Sequence, residues 1–411
     1  MEDFLQKAKE SSSILSTLSG VVKNKILLDM ADALQSNSTL IEEENKLDMS
    51  SGEQNNLSAA LMDRLFLDTN RISAMATAIR EIAALKEPTG RILEGWKTQT
   101  NLSIQKVTVP IGVIGIIYES RPNVTSDTAA LCFKSGNVCI LKGGKEAQYS
   151  NAIIAEVLQQ VLAKNNLPKN LISLIPDNTR EGVAKLIKQD QYLDLIIPRG
   201  GAALIKYIST NSSVPVIKHD KGLCHTYIHE GADFKKAIDV PLNAKCRRAG
   251  ICGAMETLLI DEAVASELLP KLQAEFDEHK TLLKGCAKTQ KIIDVEFANE
   301  EDFDTEYLDN ILSIKVVKDI DEAITHIRKY SSSHSDAIIT ENYTIAEQFL
   351  NSIDSACVYL NTSTQFTDGG EFGFGAEVGI STNKLHARGP MGVEGLTTYK
   401  FKIYSDGQTR A

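Results

Sequence analysis

The sequence predicts an α/β protein with two doubly wound units and a small β-ribbon. Three observations predict it. From residue 107 onward, strand-like and helix-like segments alternate as in repeated βαβ units. Val113 to Tyr118 is a continuous apolar run, as suits a parallel strand covered on both faces. A chain of 411 residues also exceeds what one small core organises, so two or three structural units are expected.

Residues 1–88 read as helical. Ile14, Leu18, Val21 and Val22 share one helical face, and Ile26, Leu27, Met30 and Leu34 continue the spacing. A polar break is expected at Ser50-Ser51-Gly52. A further helix starts at Asp68 or Thr69, carries Ile72, Met75, Ile79 and Ile82 on one side, and stops at Pro88-Thr89-Gly90. Between Arg91 and Lys106, apolar Ile92, Trp96, Leu102 and Ile104 are separated by polar residues, as in an exposed hairpin. Its tryptophan suits either an oligomer contact or a cover for its own domain.

Strands follow at Val113 to Tyr118, Val138 to Leu141, Leu171 to Ile175, Leu193 to Ile197 and Val214 to Ile217, with helices at Asp127 to Ser135 and Tyr149 to Lys164. Ligands of such a sheet lie at the carboxyl ends of its strands. Three polar loops fall there: Arg121-Pro122-Asn123, Lys142-Gly143-Gly144-Lys145 and Arg199-Gly200-Gly201. Backbone N–H groups and a cation at a helix start can hold a phosphate; glycines that only make tight turns are the alternative. No GxGxxG fingerprint is present, which disfavours a plain Rossmann dehydrogenase. Beyond Asp233 a second α/β unit is expected, with helices at Ala263 to His279 and Asp321 to Lys329 and strands at Asp336 to Thr340 and Ala356 to Asn361. The run from Asp368 to Gly379 is too glycine-rich for a regular element and suggests a loop packed close to a ligand or another backbone. Leu396 to Tyr404 alternates like an edge strand.

Composition excludes several classes. Hydrophobic content of 43% and charged content of 24% are those of an ordinary globular protein, and a net charge of −10 with no basic stripe argues against nucleic-acid or anionic-membrane partners. The seven cysteines show neither a CxxC pair nor zinc-ligand spacing. With no secretory core and no apolar run of roughly 20 residues, a cytoplasmic chain without metal is expected.

The chemistry centres on Cys252. A glycine-containing loop, Asn243-Ala244-Lys245-Cys246-Arg247-Arg248-Ala249-Gly250-Ile251, leads into it, and a strand-like run from Thr257 to Ile260 follows. A lone cysteine is usually a small buried hydrophobe. Here rigid structure behind it and the cations Lys245, Arg247 and Arg248 before it suit a thiolate nucleophile acting on an acyl carbon.

Four separated motifs carry a resemblance over nearly the whole chain. They are Tyr118-Glu-Ser-Arg-Pro-Asn-Val-Thr125, His219-Asp-Lys-Gly-Leu-Cys-His-Thr-Tyr227, Asn243-Ala-Lys245 and Ala387-Arg-Gly-Pro-Met-Gly-Val-Glu-Gly-Leu-Thr-Thr-Tyr-Lys400. Together they closely resemble the gamma-glutamyl phosphate reductase family, a branch of the aldehyde dehydrogenase superfamily. The resemblance implies a cofactor domain (1–90 and 107–228), a catalytic domain (229–385) and an oligomerisation ribbon (91–106 and 386–411) that pairs subunits into a homo-oligomer. It implies NADPH-dependent reduction of L-glutamate 5-phosphate to the 5-semialdehyde with release of phosphate, in proline biosynthesis, through a cysteine thioester. Some relatives fuse a kinase domain in front; none stands here, so the reductase step alone is expected.

Residue by residue, the resemblance makes Cys252 the nucleophile and Asn123 the oxyanion-holding asparagine. Lys142 would reach the adenosine ribose, and Lys145 beside it a 2′-phosphate. Arg199, Gly200 and Gly201 would open a helix near the pyrophosphate, and Glu306 would hold the nicotinamide ribose. His225, Arg248 and Lys245 are candidates for the anionic substrate, with a structural histidine and a solvated basic patch as the alternatives. Hydrolytic relatives place a base glutamate in a Glu-Leu-Gly-Gly-Lys stretch; the corresponding His219-Asp-Lys-Gly-Leu-Cys-His225 has none, so a thioester would wait for hydride. Cys246, Ala249 and Gly253 depart from the family's Thr, Pro and Asn. The rival readings are a hydrolytic or coenzyme A-acylating aldehyde dehydrogenase and a catalytically silent nucleotide-binding or scaffold protein.

Overall fold

The structure, a computed structural model, describes residues 1–218 and 221–410, with the side chain of Ala60 left aside. It divides into two compact units. The first comprises Met1–Lys218, Gly373–Gly379 and 391–410; the second comprises 221–372 and Ile380–Pro390.

A four-stranded parallel sheet organises the first unit, in the order Ile172–Leu174, Val138–Lys142, Val113–Tyr118, Leu195–Arg199. All six residues of Val113–Tyr118 are buried, as an apolar run covered on both faces requires. The segment Val214 to Ile217 adds only a single parallel bridge, Ile196 to Val216, rather than a fifth strand. Helices Asn123–Lys134 and Gln148–Lys164 are the crossovers, and five N-terminal helices accompany them.

Two features of those N-terminal helices differ from the sequence expectation. Helix Ser38–Gln54 runs straight through Ser50-Ser51-Gly52. Gly52 is tolerated inside it because a Cβ there would stand 2.7 Å from the Met62 sulfur, so the missing side chain makes room for a neighbour. Val21 is 80% exposed, and Ile14 and Val22 are exposed too. The first helix ends at Thr17 and buries Leu5, Ala8 and Leu15 instead, so the expected face is interrupted by a new helix start at Ser19. The later helix begins as read: Asp68 is its N-cap, accepting from the Arg71 backbone N–H at 2.8 Å.

The second unit is built on a seven-stranded parallel sheet. Its order is Glu296–Phe297, Leu282–Gly285, Ile311–Val317, Met255–Asp261, Cys224–Ile228, Ser335–Ile339, Cys357–Leu360. Cys224–Ile228 pairs on both sides within this sheet, so the change of unit falls at Lys218 and not after residue 228. The hairpin Ile92–Lys97 and Ser103–Pro110 is completed by Thr397–Tyr404 into a three-stranded antiparallel ribbon. Trp96 meets Phe401 edge to face on it, and Ile92, Tyr399, Phe401 and Ile403 are exposed. Among the described residues no helix is long and apolar enough to cross a membrane, and no cluster of three or more metal-ligating side chains occurs.

Candidate active site

In the second unit, the helix Phe234–Cys246 ends just before the nucleophile loop, and the strand Met255–Asp261 begins just after it. Between them the Ala254 N–H donates to Ile251 O at 2.9 Å, making Cys252 and Gly253 the two central residues of a tight turn. Cys252 itself is half-buried. Its turn is held from below: the Cys224 thiol donates to the Cys252 carbonyl at 3.2 Å. Gly222 presses against the same residue, since a Cβ at Gly222 would lie 2.2 Å from Cys252 O and 2.4 Å from its Cα. The Gly222 N–H in turn donates to Glu306 Oε1 at 2.8 Å, and burial raises the Glu306 carboxyl above its ordinary range. Glu306 therefore stands one glycine away from the nucleophile's backbone.

The other expected residues of this unit divide. Arg248 is exposed and gives its carbonyl to Gln365 Nε2 at 3.4 Å. Lys245 is wholly enclosed, its ammonium 2.6 Å from Glu256 Oε2, with side-chain exposures of 0% and 1%. Burial pushes Glu256 up to about 7, with the Lys245 charge pulling the other way. Lys245 is thus an internal ion pair and not an open cation awaiting a substrate. His225 is fully buried; its backbone N–H and Nδ1 both meet Asp336 Oδ1 at 3.0 Å. An imidazole at that depth cannot meet a departing phosphate without opening the sheet, so the structural alternative takes its place. Of the base-poor stretch, His219 and Asp220 lie outside the described residues. Sequence reasoning missed Thr364 and Gln365, whose turn lies more than 100 residues downstream and touches this loop; no local signal marks them. Gly222 stood inside a quoted motif, with nothing to show how close it comes to Cys252.

In the first unit, Lys142 and Lys145 line one cleft of about 590 Å³ at the carboxyl ends of the strands, together with Ser120, Asn178, Thr179 and Arg180. The Lys142 ammonium donates to Gly143 O at 3.1 Å. Burial lowers its pKa, while Asp177 and Glu146 work in the opposite direction. Arg199 ends its strand, and Gly201 caps the helix Ala202–Asn211. The Gly201 N–H is taken by Glu119 Oε2 at 2.9 Å, so this helix start carries a carboxylate of its own. Gly379 of the glycine run packs on Arg199: a Cβ there would stand 2.7 Å from Nη1. Asn123 opens the helix Asn123–Lys134, is exposed, and donates to Asp127 Oδ2 at 2.9 Å. Burial pushes Asp127 up to about 6, opposed by hydrogen bonds from Asn123 and Ser126 and by the charge of Arg199.

The sequence profile of the aldehyde dehydrogenase family matches residues 1–290. The chain belongs to the aldehyde dehydrogenase family. It is 67% identical to the gamma-glutamyl phosphate reductase of Sulfurimonas denitrificans, over the full length of both chains. It is 51% identical to that of Caldanaerobacter subterraneus, over 98% of each chain. The solved structure of gamma-glutamyl phosphate reductase from Thermotoga maritima superposes with a TM-score of 0.98 at 44% identity, covering 100% of this chain and 99% of that one. An acetylating aldehyde dehydrogenase from Geobacillus thermoglucosidasius shares the fold, with a TM-score of 0.70 at 19% identity over 100% of this chain and 97% of the other. Members of this family work with a nicotinamide dinucleotide, and the Lys142 cleft has the volume and the cations to take part of such a cofactor.

Proposed function

We propose that this chain reduces L-glutamate 5-phosphate to L-glutamate 5-semialdehyde with release of phosphate, the second step of proline biosynthesis, using NADPH. The observation that carries the reading is the turn at Cys252. Cys252 is half-buried just ahead of a fully buried strand, on a backbone gripped by Gly222 and Cys224. Full-length relatives named for this activity support it.

The Cys252 thiolate attacks the acyl carbon of the mixed anhydride. The acyl–phosphate bond breaks and phosphate departs with the electron pair, leaving a thioester on sulfur. NADPH, when bound, would supply the hydride that takes the acyl group to the aldehyde level. The resulting hemithioacetal collapses, the carbon–sulfur bond breaks, and Cys252 is returned as thiolate. Each tetrahedral state puts charge on oxygen. Asn123 keeps one amide hydrogen beyond the one it gives Asp127, and with the Cys252 N–H it is assigned to that oxygen; such a donor is typically worth about 10²–10³ in rate. Arg248, exposed just ahead of Cys252, is assigned to the anionic substrate. Lys142 and Lys145 are assigned to the adenosine ribose and its 2′-phosphate, Arg199, Gly200 and Gly201 to the pyrophosphate region, and the free oxygen of Glu306 to the nicotinamide ribose.

The exposed apolar side chains of the three-stranded ribbon support pairing of subunits there. Seven cysteines with no CxxC pair in the sequence suit a reducing, cytoplasmic setting. The test is phosphate-dependent reduction of NADP+ by pyrroline-5-carboxylate, the cyclised product. Wild type should turn over and Cys252→Ala should not; equal rates would remove Cys252 from the reaction.

A further inference from the structure

The turn that carries Cys252 is gripped a second time, by a short helical turn at Thr364–Phe366. Thr364 donates its hydroxyl to the carbonyl of Gly253, the residue after the nucleophile, at 2.7 Å. Gly253 also packs directly on this segment: a Cβ there would stand 3.1 Å from Thr364 O and 3.5 Å from the Gln365 Cα. On the other side of the nucleophile, Gln365 holds the loop leading in. Its Nε2 donates to Ala244 O at 2.8 Å and to Arg248 O at 3.4 Å, and its Oε1 accepts from Arg247 Nε at 2.9 Å. Gln365 is 4% exposed and Thr364 is fully enclosed. One amide side chain thus satisfies a carbonyl in the last turn of the helix Phe234–Cys246 and both a carbonyl and a guanidinium of the loop that follows, while its neighbour satisfies the carbonyl leaving the turn.

We propose that Gln365, together with Thr364, is a positioning residue for the Cys252 thiol, fixing the turn from both sides. The physical reason is that loop backbone at a half-buried site must place its carbonyls on fixed donors or on water. Water donors would let the turn shift, whereas these two side chains are anchored in the packed interior. Gln365 also consumes Arg247 Nε, so the rest of that guanidinium is presented in one orientation on the loop before Cys252. The inference rests on Cys252 being the nucleophile of the function proposed above.

The experiment compares wild type with Gln365→Met, Thr364→Val and Thr364→Ser in two assays. The first is phosphate-dependent NADP+ reduction by pyrroline-5-carboxylate; the second is the rate of iodoacetamide alkylation at Cys252, read by peptide mass spectrometry. Gln365→Met keeps the volume and loses all three hydrogen bonds. It should lower kcat about tenfold to a hundredfold, since misplacement of a reacting group by about 1 Å costs on that order. KM for NADP+ should stay within about twofold, and alkylation of Cys252 should change with kcat. Thr364→Val should lose activity, and Thr364→Ser, which keeps the hydroxyl, should regain most of it. Should Gln365→Met fail to fold, the two Thr364 variants decide. A Gln365→Met enzyme within about twofold of wild type, or equal losses in Thr364→Ser and Thr364→Val, would overturn the proposal. A wild type without phosphate-dependent turnover would instead overturn the functional reading, and the alkylation rates would still report on the positioning.

Discussion

Gly222 and Cys252 are in backbone contact. A methyl group added at Gly222 would fall 2.2 Å from the Cys252 carbonyl oxygen and 2.6 Å from its carbonyl carbon, inside any tolerable separation. The obstruction is backbone, so it cannot swing aside as a flexible side chain could. Gly222→Ala should therefore push the nucleophile's turn out of place. Turnover is expected to fall about a hundredfold, while affinity for the adenosine-end fragment 2′,5′-ADP stays near wild type because the Lys142 cleft belongs to the other unit. A Gly222→Ala enzyme with normal turnover would show that the thiol does not depend on this contact.

The buried pair Lys245–Glu256 makes a separate prediction. Each partner removed alone leaves an uncompensated charge in the interior, which costs about 3–5 kcal/mol, whereas an apolar pair of similar volume is often neutral. Lys245→Met and Glu256→Leu should each lower the denaturant midpoint strongly, and the double variant should recover much of the loss. If Lys245 served the substrate instead, Lys245→Met would raise KM with little change in stability.

His326 sets an acid limit on stability. It is buried beside His225, Phe303 and Tyr330, and its Nδ1 lies 3.3 Å from the Lys315 ammonium, where it must accept and so stay unprotonated. Burial is the main cause that lowers its pKa from 6.5 to about 2. The unfolded chain takes up the proton first as pH falls, so this contribution is complete above pH 6.5 and is lost progressively below it. The loss is about 1.4 kcal/mol per pH unit. His326→Phe should flatten the pH dependence of unfolding free energy between pH 6 and pH 4; an unchanged slope there would contradict a neutral native His326.

The sequence made much of this molecule legible, for physical reasons that can be named. Val113 to Tyr118 announced its strand because burial on both faces leaves no polar position. Asp68 announced its helix because an N-cap needs a short acceptor side chain. Gly52 misled, because its role is to admit the Met62 sulfur and not to break a helix. Cys224 to Ile228 pairs on both sides in the second unit and not in the first, and this was not legible because a strand's own residues do not record which sheet it joins. At the site, Cys252 was readable from its loop and its motif. The enclosure of Lys245 was not, because a lysine's pairing with Glu256 depends on how a helix end meets a strand, which no spacing rule encodes. Thr364 and Gln365 were invisible for the same reason.

The cofactor cleft gives a prediction about preference. Lys142 is largely enclosed and Lys145 is exposed at its mouth. A charge-assisted hydrogen bond to a ribose or phosphate oxygen contributes about 1.5–3 kcal/mol. Lys142→Ala should therefore weaken binding of both NADPH and NADH about tenfold or more. Lys145→Glu should weaken NADPH alone, by repelling the 2′-phosphate, and leave NADH nearly unaffected. Parallel loss of both cofactors in Lys145→Glu would place the 2′-phosphate elsewhere.

The most direct test of the central claim is to trap the acyl group. Enzyme mixed with pyrroline-5-carboxylate and NADP+ in the absence of phosphate, then quenched in acid and digested, should carry a glutamyl group on the peptide containing Cys252, and added phosphate should discharge it. An acyl group found on any of the other six cysteines, or turnover with no acylated cysteine at all, would contradict the account.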